Sequence, residues 1–195
     1  MADTLGLDPA RIERLRSIER YDLVNPRRLF EVMDKPTDGT VVDIGAGVGF
    51  VVFPLAIDCP DAIVIACDVL PGMLELLEED ATLRALYNVE CRPMPDGTTL
   101  PLADAEADLV TMLQVHHELD DPQGLLNECA RALAPSGAIA IIDWKDEDLE
   151  GVPPAGRRVA ASTIVEQLCA AGFINVCSHD IYSHHSCITG YKAST

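Results

Sequence analysis

The fold is decided by the stretch Thr40-Val41-Val42-Asp43-Ile44-Gly45-Ala46-Gly47-Val48-Gly49-Phe50, an apolar run that leads directly into three glycines at alternate positions. A continuous β-branched run is typical of a buried parallel strand. Glycines directly after such a strand let the backbone turn sharply and approach a ligand that a Cβ would exclude. The stretch therefore predicts a nucleotide-type binding loop at the end of a first parallel strand.

The spacing of the glycines narrows the kind of ligand. A dinucleotide-binding loop of the form G-x-G-x-x-G would need a third glycine at position 50, where Phe50 stands. No Gly-Lys-Ser/Thr follows either, which excludes a P-loop. Asp43, two residues before Gly45, would repel a pyrophosphate and attract an ammonium group. The loop therefore predicts a cationic ligand without phosphate, and an NAD-dependent oxidoreductase becomes the weakest alternative.

The run Asp43-Ile44-Gly45-Ala46-Gly47-Val48-Gly49 resembles the first motif of the class I S-adenosylmethionine-dependent methyltransferases. The cofactor of that family carries an amino acid and a sulfonium but no phosphate, in agreement with the spacing. The resemblance implies that S-adenosylmethionine is the cofactor. It also implies that Asp43, Gly45, Ala46, Gly47 and Gly49 help to bind it.

A second apolar run, residues 62–67, ends at Asp68. An acid at the carboxyl end of a second parallel strand is placed to accept hydrogen bonds from both hydroxyls of a ribose. Asp68 and the residues after it also resemble the second motif of the family and the helix behind it. Val69 and Met73 therefore join the implied cofactor site, and Pro71 predicts the first turn of the helix.

Two later segments resemble the family as well. In the loop before the predicted fourth strand, Asp96 stands where an acid meets the adenine amino group, with Gly97 beside it. After the fourth strand, the resemblance implies that Gln114 lies beside the cofactor. It places His117 nearer the methyl acceptor.

The acceptor side is predicted from the same segment and from two residues further along the chain. An imidazole with an ordinary pKa of ~6.5 can act as a base at neutral pH, so His117, or else the neighbouring His116, is the predicted catalytic base. Trp144 and Arg157, or else Arg158, are predicted to line the acceptor site with His117 through stacking or a bidentate contact. A purely structural histidine, surface packing and local ion pairs are the alternatives that the sequence leaves open.

The predicted strands and helices alternate along the chain, which favours one α/β domain. The resemblance implies a Rossmann-like, doubly wound sheet of strand order 3-2-1-4-5-7-6 with strand 7 antiparallel, and ligands at the carboxyl ends of strands one and four. We expect a single domain over residues 1–195, with an N-terminal helical cap at 1–38 and a core at 39–195. Segment 133–145 resembles the fifth strand of the family and the helix end before it, and segment 151–158, with Ala171-Gly172-Phe173 further on, resembles the branch related to ubiquinone and menaquinone C-methyltransferases.

Two capping pairs predict the helices of the N-terminal cap. Asp8-Pro9 begins a helix with Ile12, Leu15 and Ile18 near one face, and Asn25-Pro26 begins a second helix. By resemblance, such helices cover the cofactor cleft and help to form the acceptor pocket. Simple capping of the sheet is the alternative.

Charge and hydropathy limit the partners. The chain has 195 residues and a formal net charge of −18, and so acidic a surface lacks the basic stripe that nucleic-acid binding requires. A small-molecule acceptor is therefore expected rather than DNA or RNA, although the acidity also fits an adaptation to a salty cytoplasm. No apolar run approaches a membrane span, and charged residues interrupt the N-terminus, so a cytoplasmic protein is expected. The sequence leaves a homodimer open.

The seven cysteines and five histidines do not predict a metal site. The cysteines are scattered, without a C-x-x-C or a Cys/His pair at zinc spacing, and reduced buried thiols are expected. His179, His184 and His185 lie around a predicted hairpin, where alternation would send them to opposite faces.

Two further functions stay open. A thiol or metalloid methyltransferase would need Cys59, Cys91 or Cys177 to converge on the cofactor cleft. A non-catalytic cofactor-binding or partner-activating subunit would bind the cofactor without forming a methylated product.

Overall fold

The computed structural model describes residues 8–34 and 36–194. Six α-helices and seven β-strands alternate along these residues, with two short 3-10 helices at Pro26–Glu31 and His116–Glu118. In chain order the elements are α1 (Pro9–Leu15), α2 (Ile18–Leu23), β1 (Thr40–Ile44), α3 (Val52–Asp58), β2 (Ile63–Asp68), α4 (Pro71–Leu83), β3 (Val89–Pro93), β4 (Ala107–Leu113), α5 (Pro122–Ala132), β5 (Leu133–Trp144), α6 (Ala161–Ala170), β6 (Ile174–His179) and β7 (His185–Tyr191).

The strands form one seven-stranded sheet of order β3-β2-β1-β4-β5-β7-β6. Strands β1 to β5 are parallel, whereas β7 is antiparallel to both of its neighbours, β5 and β6. The predicted fold class, strand order and reversed seventh strand are confirmed. Because the order reverses between β1 and β4, the carboxyl ends of these strands border the crevice in which α/β sheets bind ligands.

Two apolar clusters cover the two faces of the sheet. Consecutive residues of β1, such as Val41 and Val42, point into opposite clusters, since side chains alternate along a strand. Helices α3 and α4 pack on one face, and α5 and α6 pack on the other. This two-sided burial explains why the first strand reads as a continuous apolar run.

The N-terminal segment is built differently from its prediction. The helix that begins at Pro9 ends at Leu15, because the Ser17 hydroxyl accepts the Arg20 N–H at 3.3 Å and caps a separate helix, α2. Ile18 begins α2 and is exposed, so one helix through Ile12, Leu15 and Ile18 was wrong. The segment predicted to begin at Asn25-Pro26 is capped by Asn25, as expected, but it is a 3-10 helix.

Polar contacts hold the N-terminal segment against the core. Arg16 pairs with Asp80 of α4 at 2.7 Å, and the Tyr182 hydroxyl donates to the Asn25 carbonyl at 2.9 Å. The segment therefore spans the sheet from the α4 side to the loop between β6 and β7. In residues 8–34 and 36–194, no helix has the length and apolar character that crossing a membrane requires.

Candidate active site

The two predicted cofactor motifs meet at the carboxyl ends of β1 and β2. The Gly45 and Ala46 N–H groups donate to the Cys67 carbonyl at 2.8 and 3.0 Å, which joins the glycine loop to the end of β2. Asp68 Oδ2 accepts the Gly47 N–H at 2.8 Å, and its Oδ1 accepts the Leu70 N–H at 2.9 Å. The carboxylate is thus fixed beside the loop, and each oxygen keeps a second lone pair for a ligand hydroxyl.

The glycines of the loop have different reasons to be glycine. All three have positive φ, but a Cβ on Gly45 would lie 2.3 Å from Val115 Cγ2, whereas a Cβ on Gly47 would meet nothing nearer than 3.9 Å. Gly45 therefore lets the segment after β4 pack against the loop. Gly47 leaves open space over the backbone, a cradle that fits a ligand seated on the loop.

The two glycines predict a matched pair of stability effects. Gly45→Ala is expected to lower the free energy of unfolding by about 2–4 kcal/mol, because it adds a clash with Val115 to the cost of positive φ. Gly47→Ala carries only the backbone cost, about 1–2 kcal/mol. Urea unfolding of both variants measures the difference, and equal losses would contradict the packing role of Gly45.

Asp43 lies at the base of the loop and is buried. Thr111 of the neighbouring β4 donates its hydroxyl to Asp43 Oδ1 at 2.8 Å. Burial raises the pKa of Asp43 to about 7, although the Thr111 hydrogen bond and the charge of Arg20 act in the opposite direction. A buried carboxylate that ionises near neutral pH favours a cation beside it.

The pH dependence of stability in Asp43→Asn tests whether the buried Asp43 carboxyl group has a raised pKa. Because the pKa of Asp43 is raised on folding, its contribution to stability is complete below the unfolded value of ~3.9 and is lost as the pH rises through about 7. The free energy of unfolding of the variant minus that of the wild type should therefore increase by on the order of 2–4 kcal/mol between pH 4 and pH 8. Urea unfolding at both pH values measures this, with Asp120→Asn on the surface as control. If the free energies of unfolding of the wild type and Asp43→Asn changed in parallel with pH, the raised pKa of Asp43 would be excluded.

Arg20 of α2 also contacts the predicted cofactor site, although the sequence did not predict a role for it. Its Nε and Nη2 donate to Gln114 Oε1 at 3.2 and 3.0 Å, and its Nη1 donates to the Leu15 carbonyl at 3.2 Å. The guanidinium lies 4.0 Å from the centre of the Phe50 ring. The N-terminal segment thus covers the loop at Phe50 and contacts the predicted cofactor residue Gln114.

Val69 and Gly97 face one another across the loops that follow β2 and β3. A Cβ built on Gly97 would lie 3.5 Å from Val69 Cγ1, an ordinary contact. Asp96 is exposed, and its Oδ1 accepts the backbone N–H groups of Thr98 and Thr99 at 3.0 and 2.8 Å. The structure therefore brings Val69 and Gly97 together, whereas the Asp96 carboxylate organises its own turn.

Two other predicted cofactor residues are part of the core. Met73 of α4 is 2% exposed, and Ala46 is 4% exposed. Gly49 has φ +80°, and a Cβ there would clash with the Phe53 ring. These three residues shape the loop and its support rather than an open ligand surface.

His117 forms a dyad with Asp143, which the sequence analysis did not single out. His117 Nδ1 lies 2.7 Å from Asp143 Oδ1, and Asp143 Oδ2 accepts the His117 backbone N–H at 3.0 Å. Burial alone would lower the pKa of His117, but the hydrogen bond and charge of Asp143 outweigh it and the net pKa is raised. The carboxylate holds the proton on Nδ1 and leaves the Nε2 lone pair to act as a base.

His116 has a different environment. It is 2% exposed, and neither ring nitrogen makes a hydrogen bond of normal geometry with a described residue. Burial lowers the pKa of His116, so the ring is neutral at pH 7. The geometry favours His117 over His116 as the base.

The predicted acceptor residues surround the dyad on two sides. Trp144 follows Asp143 directly and stacks on His185, with ring centres 4.2 Å apart. Arg157 is exposed, 3.7 Å from Glu118, the residue next to His117. Arg158 instead fixes its own loop, because its guanidinium donates to the Glu147 carbonyl and to Asp148. Arg157 is therefore the arginine available to an acceptor.

The histidines and cysteines show no metal centre in the part of the chain that the structure describes: no group of three or more His, Cys, Asp or Glu side chains is arranged to hold an ion. His179 bonds Thr189, and His184 bonds Ser183. Cys67, Cys91, Cys129, Cys169, Cys177 and Cys187 are free thiols.

The sheet order, the glycine loop and the acids that end β1 and β2 define the class I methyltransferase architecture. A family model described as a methyltransferase domain matches residues 42–141, just over half of the chain. The chain therefore belongs to this methyltransferase-domain family, and the resemblance seen in the motifs is confirmed.

Relatives and solved structures agree with this assignment. The chain is 28% identical to a malonyl-[acyl-carrier protein] O-methyltransferase of Hahella chejuensis over 73% of its own length and 53% of the relative. It is also 28% identical to a demethylmenaquinone methyltransferase of Thermus thermophilus, over 64% of the chain and 61% of the relative. A crystal structure of a SAM-dependent methyltransferase from Aquifex aeolicus superposes with a TM-score of 0.85, at 27% identity, covering 94% of this chain and 98% of that one. The chain thus spans a little over half the length of the two curated relatives.

Proposed function

We propose that the protein binds S-adenosylmethionine in the cleft beside β1, β2 and β4 and transfers its methyl group to a small-molecule acceptor. The His117–Asp143 dyad is the observation that carries the catalytic part of this proposal. His117 lies two residues after Val115, which packs on Gly45. The base is therefore held next to the glycine loop. A scaffold that only bound a ligand would not need a base oriented by a buried carboxylate.

The residues of the glycine loop and the strand ends would hold the cofactor. Asp68 would accept the ribose hydroxyls, Asp43 would face the ammonium end, and Val69 with Gly97 would enclose the adenine near Asp96. Gln114 would lie beside the methionyl part. When bound, S-adenosylmethionine supplies a methyl group already activated on a sulfonium, so the protein needs mainly to align and dehydrate the reactants. Holding both in line is worth about 7–11 kcal/mol of the barrier.

His117 would remove the proton from an acceptor of low nucleophilicity, such as a phenol or an enolisable carbon. Its Nε2 is the free nitrogen, and Glu118 Oε1 is the nearest acid to it at 3.8 Å, beyond hydrogen-bonding distance. Asp143 would stabilise the imidazolium that forms, as a carboxylate does in other oriented bases. Trp144 would stack on an aromatic or planar acceptor, and Arg157 would meet an anionic substituent.

The acceptor we propose is small and is not a nucleic acid. A net charge of −18 opposes the phosphate backbone. The printed names of the two relatives differ in acceptor, one an acyl-carrier-linked malonyl group and the other a demethylated quinone. These names support methyl transfer and not one particular acceptor. Six free thiols support a reducing cytoplasm as its location.

The organisation predicted from the sequence belongs to this proposal. Residues 1–38 would act as a cap over the cofactor and residues 39–195 as the catalytic core, with residues 1–7, 35 and 195 lying outside the described residues. The contact of Arg20 with Gln114 supports a cap that closes on the cofactor, rather than one that only covers the sheet.

The thiol or metalloid alternative meets a geometric obstacle. Cys91 lies on β3 and Cys177 on β6, the two edges of the sheet. Six strand spacings of about 4.8 Å separate these edges, roughly 29 Å in all. Burial raises the pKa of Cys91 to about 11, and Cys59 is buried at the end of α3. These three cysteines do not converge on the cleft.

Two assays test the proposal. Isothermal titration with S-adenosylmethionine, S-adenosylhomocysteine and NAD should show micromolar binding of the two adenosyl ligands and none of NAD. Incubation with methyl-labelled cofactor and a panel of phenols, enolisable ketones and aromatic carboxylates should then transfer label to an acceptor. Binding without transfer to any acceptor would favour the non-catalytic subunit, and binding of NAD alone would exclude both.

A further inference from the structure

A line of polar side chains crosses the cleft from the N-terminal segment to Trp144. Arg20 donates to Gln114 Oε1, Gln114 Nε2 lies 2.8 Å from His185 Nε2, and His185 stacks on Trp144 at 4.2 Å. Arg20 comes from α2, Gln114 directly follows β4, and His185 begins β7. Three elements distant in sequence are therefore joined at the proposed site.

The protonation along this line is fixed by Arg20. An arginine has donors only, so the Gln114 atom that it contacts must be the carbonyl oxygen. The Gln114 amide nitrogen must then donate, which makes His185 Nε2 the acceptor and places the His185 proton on Nδ1. His185 is fully buried and burial lowers its pKa to about 4, so the ring is a neutral, fixed wall rather than a second base.

Gln114 is held in a strained conformation. Its φ is +58°, which a residue with a Cβ adopts rarely and at a cost of roughly 1–3 kcal/mol. The bonds from Arg20 and to His185 help to hold it there. A change in the partner of Arg20 would remove one of these restraints.

Arg20 forms hydrogen bonds with neutral oxygens, although a carboxylate would be a stronger partner. It gives its N–H groups to the neutral oxygens of Gln114 and Leu15, although Asp43 supplies an opposite charge nearby. A guanidinium and a carboxylate carry opposite charges and can form two parallel hydrogen bonds, which a neutral amide oxygen cannot match. Arg20 supplies a positive group, and Asp43, which ionises near neutral pH, supplies a negative one beside a cation, so the two together complement the carboxylate and ammonium of an amino acid.

Resting on the proposed function, we propose that Arg20 binds the α-carboxylate of the cofactor and thereby releases Gln114, so that Gln114, His185 and Trp144 take their acceptor-side arrangement only when the cofactor is present. Arg20 exchanges a neutral amide oxygen for a carboxylate, and Gln114 loses the contact that fixed its amide. Acceptor binding then follows cofactor binding. Arg20 is a cofactor-binding residue, and Gln114 and His185 are positioning residues for the acceptor.

Calorimetry tests the carboxylate contact. Arg20→Gln should weaken S-adenosylhomocysteine about 10- to 100-fold, the effect of losing a charge-assisted pair of hydrogen bonds. Decarboxylated S-adenosylhomocysteine should bind the wild type and Arg20→Gln equally. Arg28→Gln removes a cation of the same segment that pairs with exposed Glu31, and it should bind both ligands as the wild type does. Arg20→Lys retains the charge without the fork and guards against a folding defect, which thermal melts would reveal.

Fluorescence tests the release of Gln114, because Trp144 is the only tryptophan in the chain. Saturating S-adenosylhomocysteine should change its emission in the wild type, and saturating decarboxylated ligand should not. In Gln114→Leu, at a ligand concentration that saturates the variant by calorimetry, the fluorescence response to S-adenosylhomocysteine should be lost.

Three results would overturn the inference. Equal weakening of both ligands by Arg20→Gln would mean that the arginine only supports the loop. Tighter binding by the variant would mean that Arg20 competes with the cofactor for its site. The same change in Trp144 fluorescence with both ligands would mean that the change does not depend on the cofactor carboxylate. If the wild type bound neither ligand, the proposed function itself would fail. If the wild type bound both ligands and Arg20→Gln bound them with the same affinities, only this inference would fail.

Discussion

Replacing Asp68 by alanine should raise the dissociation constant of S-adenosylhomocysteine by on the order of 10²- to 10⁴-fold. The carboxylate is held by the Gly47 and Leu70 N–H groups at 2.8 and 2.9 Å, and it is 7% exposed. Two charge-assisted bonds to ribose hydroxyls in so buried a place contribute about 1.5–3 kcal/mol each. Asp68→Asn keeps one acceptor oxygen and should fall between the wild type and the alanine variant.

Asp96→Ala is the matched control for this experiment. Both carboxylates accept two backbone N–H groups, but Asp68 joins two loops, whereas Asp96 is exposed and bonds only its own turn. A hydrogen bond to the adenine there competes with water, so a loss of less than about 10-fold is expected. Calorimetry measures the dissociation constant of S-adenosylhomocysteine for both variants, and thermal melts compare their stability. Equal losses at positions 68 and 96 would contradict the ribose role of Asp68.

The fold could be predicted because its signals are local. The apolar run of β1 and the glycines after it are consecutive residues, and Asp68 ends a second apolar run. Asp8 and Asn25 cap helical segments as predicted. The strand order followed from the family resemblance and not from periodicity, since no local pattern shows that β7 inserts between β5 and β6.

The polar partners in the candidate site could not be predicted in the same way. Asp143 is 26 residues from His117 and stands near the end of a long apolar strand, where it reads as one polar residue among buried neighbours. Arg20 is 94 residues from Gln114, and a short helix with alternating charges reads as a solvated face. Both pairings depend on how β4, β5 and the N-terminal segment meet in space. The one local signal that could have indicated Asp143 is its position near the end of an apolar run.

The break in the N-terminal helix shows a competition between two local rules. The spacing of Ile12, Leu15 and Ile18 favours one continuous helix, but Ser17 offers a capping hydroxyl in the middle of it. The cap prevails because Arg20, three residues later, gains a partly buried contact with Gln114 when α2 starts a new direction. Tertiary contact thus overrides helical periodicity in this segment.

Replacing His117 by alanine should lower kcat about 10²- to 10⁴-fold, measured with the acceptor that the labelled-methyl panel identifies. The imidazole is oriented by Asp143 through Nδ1, so the variant loses the only oriented base proposed for the cleft. His184→Gln, a histidine bonded to Ser183 outside the dyad, should leave kcat unchanged. A loss of less than tenfold in the alanine variant would mean that the acceptor enters already deprotonated and that the site acts by alignment alone.

Asp143→Asn separates the base from its positioning residue. The charge of Asp143 raises the pKa of His117, and the base must be neutral to accept a proton, so kcat/KM of the wild type should fall as the pH drops through this raised value. The asparagine variant removes the charge, so its acid limb should move to lower pH while kcat falls about 10- to 100-fold from lost orientation. NMR titration of the His117 ring gives the same shift without an acceptor, and an unchanged titration in the variant would exclude the dyad.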